Sequence, residues 1–362
     1  MARHWLVHLL LLLSLAACGR TQPTAAPAPG DATTSNNQDG IIVTVQGDAS
    51  IKRAGWQTYA PAFFGAPLRK GDLLRLAASA RVVVACADLK LSELPAGVSG
   101  FPCKTGPGQS ALVYAGRLAA PTRGEPGVGE YPVVVSPRQT RLLDPHPAPR
   151  WTAVPGVAQY RVSLQGVDWS TAIDGSTETV YPSGAPALKP GTVYRLIVEA
   201  GERSSTEEPG AGLGFELLGA GEVKAVRAAE ATIRALGLSE AATRLLTANL
   251  YAVHDLQAEA IALLDPLAGS GEPAVPRLVG DLYLSIGLNR QAEESYLQAL
   301  TLSQGANDAE GQAAAHAALG AIYESLGSRA EAVRHWQGAI AGYERLGDQA
   351  RTTELRALLA GK

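Results

Sequence analysis

The amino-acid sequence predicts a multidomain chain: two all-β domains followed by an α-helical solenoid. Three observations point to it. Most of the 39 Gly and 23 Pro precede residue 220, whereas the remainder is rich in Ala and Leu. The front half carries short apolar runs broken by Gly, Asp and Pro at roughly 8–12-residue spacing, the rhythm of antiparallel strands. The back half repeats one pattern around Tyr251, Tyr283 and Tyr323. At 362 residues the chain exceeds a single ordinary domain, and 46% hydrophobic content can fill several cores. A formal net charge of −3 leaves no basic excess to neutralise phosphates, which argues against a nucleic-acid partner.

The first element is a leader, residues 1–17. Arg3 and His4 precede an apolar run from Leu6 to Leu13, which ends in Ser14-Leu15-Ala16-Ala17-Cys18. A basic start, a short greasy segment and small residues before the cut form an export signal. The run is too short to cross a bilayer comfortably. Leu15-Ala16-Ala17-Cys18 resembles the bacterial lipobox. That resemblance implies lipidation of Cys18 and an extracytoplasmic chain anchored to a bacterial membrane, at the cell surface or in the periplasm. An ordinary signal peptide with a chance cysteine is the plainer alternative. Residues 18–39 hold almost nothing to bury, as expected of a disordered spacer.

Residues 40–118 are expected to form the first β domain. Ile41–Val45 and Ala49–Arg53 read as strands joined at Gly47-Asp48. Gly71-Asp72 turns the chain into Leu73–Leu76, and Ala80–Val84 follows. The Gly47-Asp48 hairpin, the Gly71-Asp72 turn and the apolar strand after it resemble the FecR-like extracytoplasmic domain. Iron-uptake regulators of that family carry a cytoplasmic sigma-factor-binding segment and a membrane helix; a lipoprotein leader in their place argues against direct sigma-factor control. Cys86 and Cys103 are an even pair once Cys18 is lipidated, and in an oxidising compartment that favours a disulfide over free thiols. A metal or catalytic thiol would need more ligands than these two offer. A loop of this length gains about 3 kcal/mol from such a cross-link in the chain-entropy model.

Residues 131–218 are expected to form the second β domain. Trp151, the Pro155-Gly156 turn and alternating Tyr160, Val162 and Leu164 describe a β-hairpin with one buried face. Leu188–Thr192 then leads into Val193–Val198. This pattern is similar to the fibronectin type III class of sandwich, whose core holds a Trp and a Tyr. Core packing accounts for Trp151 and Tyr160, while an aromatic lectin platform of Trp151, Trp169 and Tyr181 is the competing use.

Residues 222–362 form the repeat. Each tyrosine is followed nine residues on by Ala260, Ala292 or Ala332, and thirteen on by Leu264, Tyr296 or Trp336. Small Ala248, Gly280 and Gly320 stand three residues before the tyrosines. Small positions let antiparallel helices approach; bulky ones fill the groove between neighbouring pairs. The pattern resembles the tetratricopeptide repeat, whose period is about 34 residues. Glu222–Leu236 is expected as a leading helix, and Gln349–Leu359 as a cap covering the last repeat. The resemblance implies a concave groove lined by the first helix of each pair. Family contact positions carried onto this chain include Asn249, Arg277, Asp281, Ser285, Glu324 and Ser325. Leu245 stands where a carboxylate-clamping family member has Lys, so that clamp is lacking.

No enzyme chemistry is legible. His146, His254, His316 and His335 show no paired metal spacing, Gly219-Ala220-Gly221 is followed by Lys224 where a dinucleotide fingerprint needs Gly, and no serine occupies a nucleophile elbow. The expectation is a membrane-anchored scaffold binding a protein or peptide, without cofactor, metal or catalysis. The alternative is a glycan-binding envelope lipoprotein that uses its β domains.

Overall fold

A computed structural model describes residues 40–104, 129–208 and 213–360. Cys18, the leader, the spacer and positions 105–118 of the first expected domain lie outside the described residues. Among those described, a β region precedes a run of eight helices, and no helix is long and apolar enough to cross a membrane.

The first β unit contains β1 (Gly40–Gln46), β2 (Ala49–Lys52), β3 (Ala60–Pro61), β4 (Pro67–Leu68), β5 (Leu73–Leu76), β6 (Arg81–Cys86), β7 (Leu91–Glu93) and β8 (Gly97–Gly100). They form two sheets, ordered β4-β1-β6-β7 and β3-β2-β5-β8. The expected strands are present, but the turn at Gly47-Asp48 does not close a hairpin. It carries the chain from one sheet to the other, so β1 pairs with β4 and β6 while β2 pairs with β3 and β5. The reason lies in the apolar runs. Ile42, Leu68, Val82 and Val84 of one sheet meet Ile51 and Leu74 of the other in a core between the sheets. Ile41, Val43, Val83 and Ala85 join a second core with Leu245, Leu246 and Leu278 of the helices. Strands that read as continuous apolar segments need both faces covered, and pairing β1 with β2 would cover neither. Cys86 ends β6 with its sulfur bonded to Cys103 and a Cα separation of 5.5 Å.

The second β unit comprises β9 (Val134–Ser136), β10 (Thr140–Leu142), β11 (Arg150–Trp151), β12 (Gln159–Leu164), β13 (Ser170–Asp174), β14 (Leu196–Ala200), β15 (Arg203–Ser204) and β16 (Phe215–Leu217). β12 is central in the order β13-β12-β14-β15, with Tyr160, Val162 and Leu164 buried at every second position. The expected hairpin across Pro155-Gly156 is absent: β11 pairs with β9 instead. Trp151 still meets Tyr160 edge-on at 5.5 Å in the shared core. β10 and β16 pair in parallel. At 3% and 2% exposure Trp151 and Tyr181 cannot offer a face to a sugar; half-buried Trp169 packs on Tyr181 at 4.8 Å.

The helices are α1 (Ala220–Ala235), α2 (Glu240–Val253), α3 (Gln257–Leu264), α4 (Ala274–Ser285), α5 (Asn289–Gly305), α6 (Ala309–Ser325), α7 (Arg329–Leu346) and α8 (Gln349–Ala360). Ser239 and Asp308 side chains cap α2 and α6 by accepting backbone N–H bonds. The three tyrosines fall near the ends of α2, α4 and α6. Four residues after each, Asp255, Gly287 and Gly327 adopt positive φ and turn the chain into the next helix. Ala260, Ala292 and Ala332 are fully buried. A Cβ at Gly280 would come within 2.9 Å of the Tyr296 ring, and one at Gly320 would overlap Trp336. Glycine is thus used where the opposing residue is aromatic, and Ala248 stands where the corresponding residue is Leu264. The wider spacing between the last two tyrosines is taken up by helix length, since α5 has 17 residues against 8 in α3.

Candidate functional site

Residues 53–72 connect β2 to β5 and lie along the face made by α2, α4, α6 and α8. Gly65 fits there only because it lacks a side chain. Its φ is +74°, and a Cβ would overlap Ala274 of α4 and stand 3.4 Å from Leu245 of α2. Further along, Arg53 grips Glu310 of α6 through Nε and Nη2 at 3.0 and 2.8 Å, a bidentate pair. Its Nη1 donates to Asp72 and to the Pro67 carbonyl within the β unit. The Trp56 indole N–H donates to Asp348 at 3.0 Å, in the turn before α8. Burial disfavours the charged Arg53 guanidinium, but Glu310 and Asp72 outweigh it and hold its pKa above the usual value. Burial would likewise raise Glu310, yet Arg53 keeps it below the ordinary carboxylate range.

Beside this network is a cavity of 240 Å³, walled by Trp56, Phe63 and Tyr343 and by the charged Arg69, Arg277, Asp281 and Arg351. Asp281 accepts a hydrogen bond from the Tyr296 hydroxyl. Burial pushes its carboxyl up to about 6, against the pull of Arg277 and of that bond.

Three of the six sequence-derived groove residues meet here: Asn249, Arg277 and Asp281 line a crevice closed by Ile41, Gly65 and Pro67 of the β unit. Asn249 is buried and donates to the Leu245 carbonyl. The other three stand at helix C-terminal ends in local bonds. Ser285 donates to the Leu282 carbonyl, Ser325 to the Ile322 carbonyl, and Glu324 pairs with Arg329 at 2.8 Å. Sequence reasoning missed Arg53, Trp56, Asp72, Glu310 and Asp348. Arg53 and Glu310 are 257 residues apart, and nothing local marks either as half of a buried pair.

The second β unit is held separately. Leu143 N–H donates to Glu259 of α3 at 2.7 Å, and Arg138 joins Glu208 to the Ile286 carbonyl. Burial pushes Glu259 up to about 7. Packing of α6 on α7 brings His316 and His335 together, Nδ1 to Nδ1 at 3.0 Å. Burial, then His316 and Arg334, push His335 down to about 4. Among the described residues no three His, Cys, Asp or Glu side chains converge as a metal would require.

No family model matches the chain, and no curated protein matches it. Among solved structures, the crystal structure of BtubC (BKLC) from P. vanneervenii is similar at 19% identity with a TM-score of 0.30. That match covers 38% of this chain and 59% of the other.

Proposed function

We propose that this chain is a lipid-anchored extracytoplasmic scaffold, not an enzyme, whose tetratricopeptide-type array grips an extended segment. On this reading the first β unit is FecR-like, the second is fibronectin type III-like, and Cys18 carries the anchor. The reading rests above all on the docking of residues 53–72 along α2, α4, α6 and α8. This is the face on which such arrays receive peptides, and here the occupant is the chain's own segment, which includes β3 and β4. A protein or peptide partner using that face therefore competes with that segment, through the contacts of Arg53, Gly65 and Trp56.

Proximity labelling in intact cells tests this with the parent chain and a Glu310→Arg variant, which repels Arg53 and favours the undocked state. The variant is expected to enrich the groove's partner severalfold over the parent. Identical neighbours in identical amounts from both would remove the groove from the function. The glycan reading receives less support, because two of its three aromatic residues lie in the core.

A further inference from the structure

We propose that the cavity between the first β unit and the helices is an anion-binding site. It would take a small organic anion through carboxylate or phosphate oxygens held by Arg69, Arg277 and Arg351. The three guanidinium groups come from separate elements: the loop after β4, helix α4 and helix α8. All three line one cavity. Arginine's planar fork suits such oxygens, which it can take two at a time.

The acidic groups around the cavity are already committed. Asp72 receives Arg53 and the Arg69 backbone N–H. Glu310 receives Arg53, and Asp348 receives the Trp56 indole and the Arg351 backbone N–H. Asp308 caps α6, and Asp281 accepts from Tyr296. Among the described residues, none of the three arginine side chains has a carboxylate within ion-pair distance, in contrast to Arg53 beside them. Arg69 Nε is buried without a protein hydrogen-bond partner, which leaves its terminal nitrogens as the donors a ligand can reach. Burial lowers the Arg69 pKa, and the like charges of Arg53 and Arg351 lower it further. A bound anion would offset the like charges, as Glu310 and Asp72 already do in part.

The lining balances as many acidic as basic side chains, so recognition would come from directed N–H donors and not from a long-range field. The volume of 240 Å³ lies below the ~300–1,000 Å³ of drug-sized sites, so the ligand is small. Trp56, Phe63 and Tyr343 give it an apolar wall, which suits an organic anion. This site does not require that a macromolecule ever enter the groove.

The test is calorimetric titration of the mature chain with citrate and with inorganic phosphate, against chloride at matched ionic strength. Saturable binding of either probe is expected, at least about tenfold weaker in each of Arg69→Gln, Arg277→Gln and Arg351→Gln. Arg161→Gln, at an exposed side chain of β12, should bind as the parent does. Circular dichroism on each variant checks that it is folded. Citrate alone binding would assign the site to carboxylates, and phosphate alone to phosphoryl groups. Heats no different from chloride overturn the proposal, as does binding unchanged in folded variants of all three arginines.

Discussion

Replacing Arg53 with Met tests how the first β unit is held on the helices. The guanidinium is 6% exposed and satisfies Asp72, which is 2% exposed, together with Glu310 at 28%. Methionine keeps much of the stem volume but leaves two carboxylates without their cation. Breaking a buried pair by removing one partner costs about 3–5 kcal/mol. Two features pull the expectation toward the lower end. Asp72 retains the Arg69 N–H at 2.9 Å, and Glu310 has partial access to water. A loss of about 3 kcal/mol is therefore expected. Urea unfolding followed by tryptophan fluorescence measures it, since Trp56 sits in the same interface. Adding Asp72→Asn and Glu310→Gln to Arg53→Met removes the stranded charges and should restore part of the loss. If Arg53→Met alone stays within about 0.5 kcal/mol of the parent, as surface substitutions do, the network does not hold the two parts together.

Ala292→Leu, at a fully buried helix contact, should cost about 1–3 kcal/mol by overpacking, whereas Ala314→Leu, which borders the cavity, should melt close to the parent; equal melting temperatures would mean the repeat register is wrong. Glu259 has a folded pKa of about 7, above its unfolded value, so the stability it contributes in the protonated form at acid pH is lost as the pH rises toward neutrality. Glu259→Gln keeps an acceptor for Leu143 and should exceed the parent by about 1–2 kcal/mol at pH 8 while matching it near pH 4.5; denaturation at both values checks the sign. Cys18→Ser should release the chain from the membrane fraction with its fold intact, and retention after a high-salt wash would sink the anchor. Thiol titration of the denatured, non-reduced mature chain should find neither Cys86 nor Cys103 free.

Local pattern was enough to locate most elements. Alternation in Tyr160, Val162 and Leu164 marks one-sided burial, and the spacing of Tyr251, Tyr283 and Tyr323 fixes where each helix turns, because these signals repeat over distances a single element spans. What they leave open is which element faces which. Gly47-Asp48 and Pro155-Gly156 both read as hairpin turns, yet each links strands of different sheets; a turn's own residues are compatible with either course, and at Gly47-Asp48 covering both faces of β1 and β6 decided between them. The repeat register likewise pointed to a groove face at Asn249, Arg277 and Asp281 but carried no information that the chain's own residues 53–72 would cover it. Arg53 and Glu310, or His316 and His335, acquire their chemistry only from a partner on another element. Burial and pairing depend on the whole packed chain, so the sequence alone located a β region followed by a helical region, and the tertiary structure decided the pairings, the helix face covered by residues 53–72 and the arginine-lined cavity beside it.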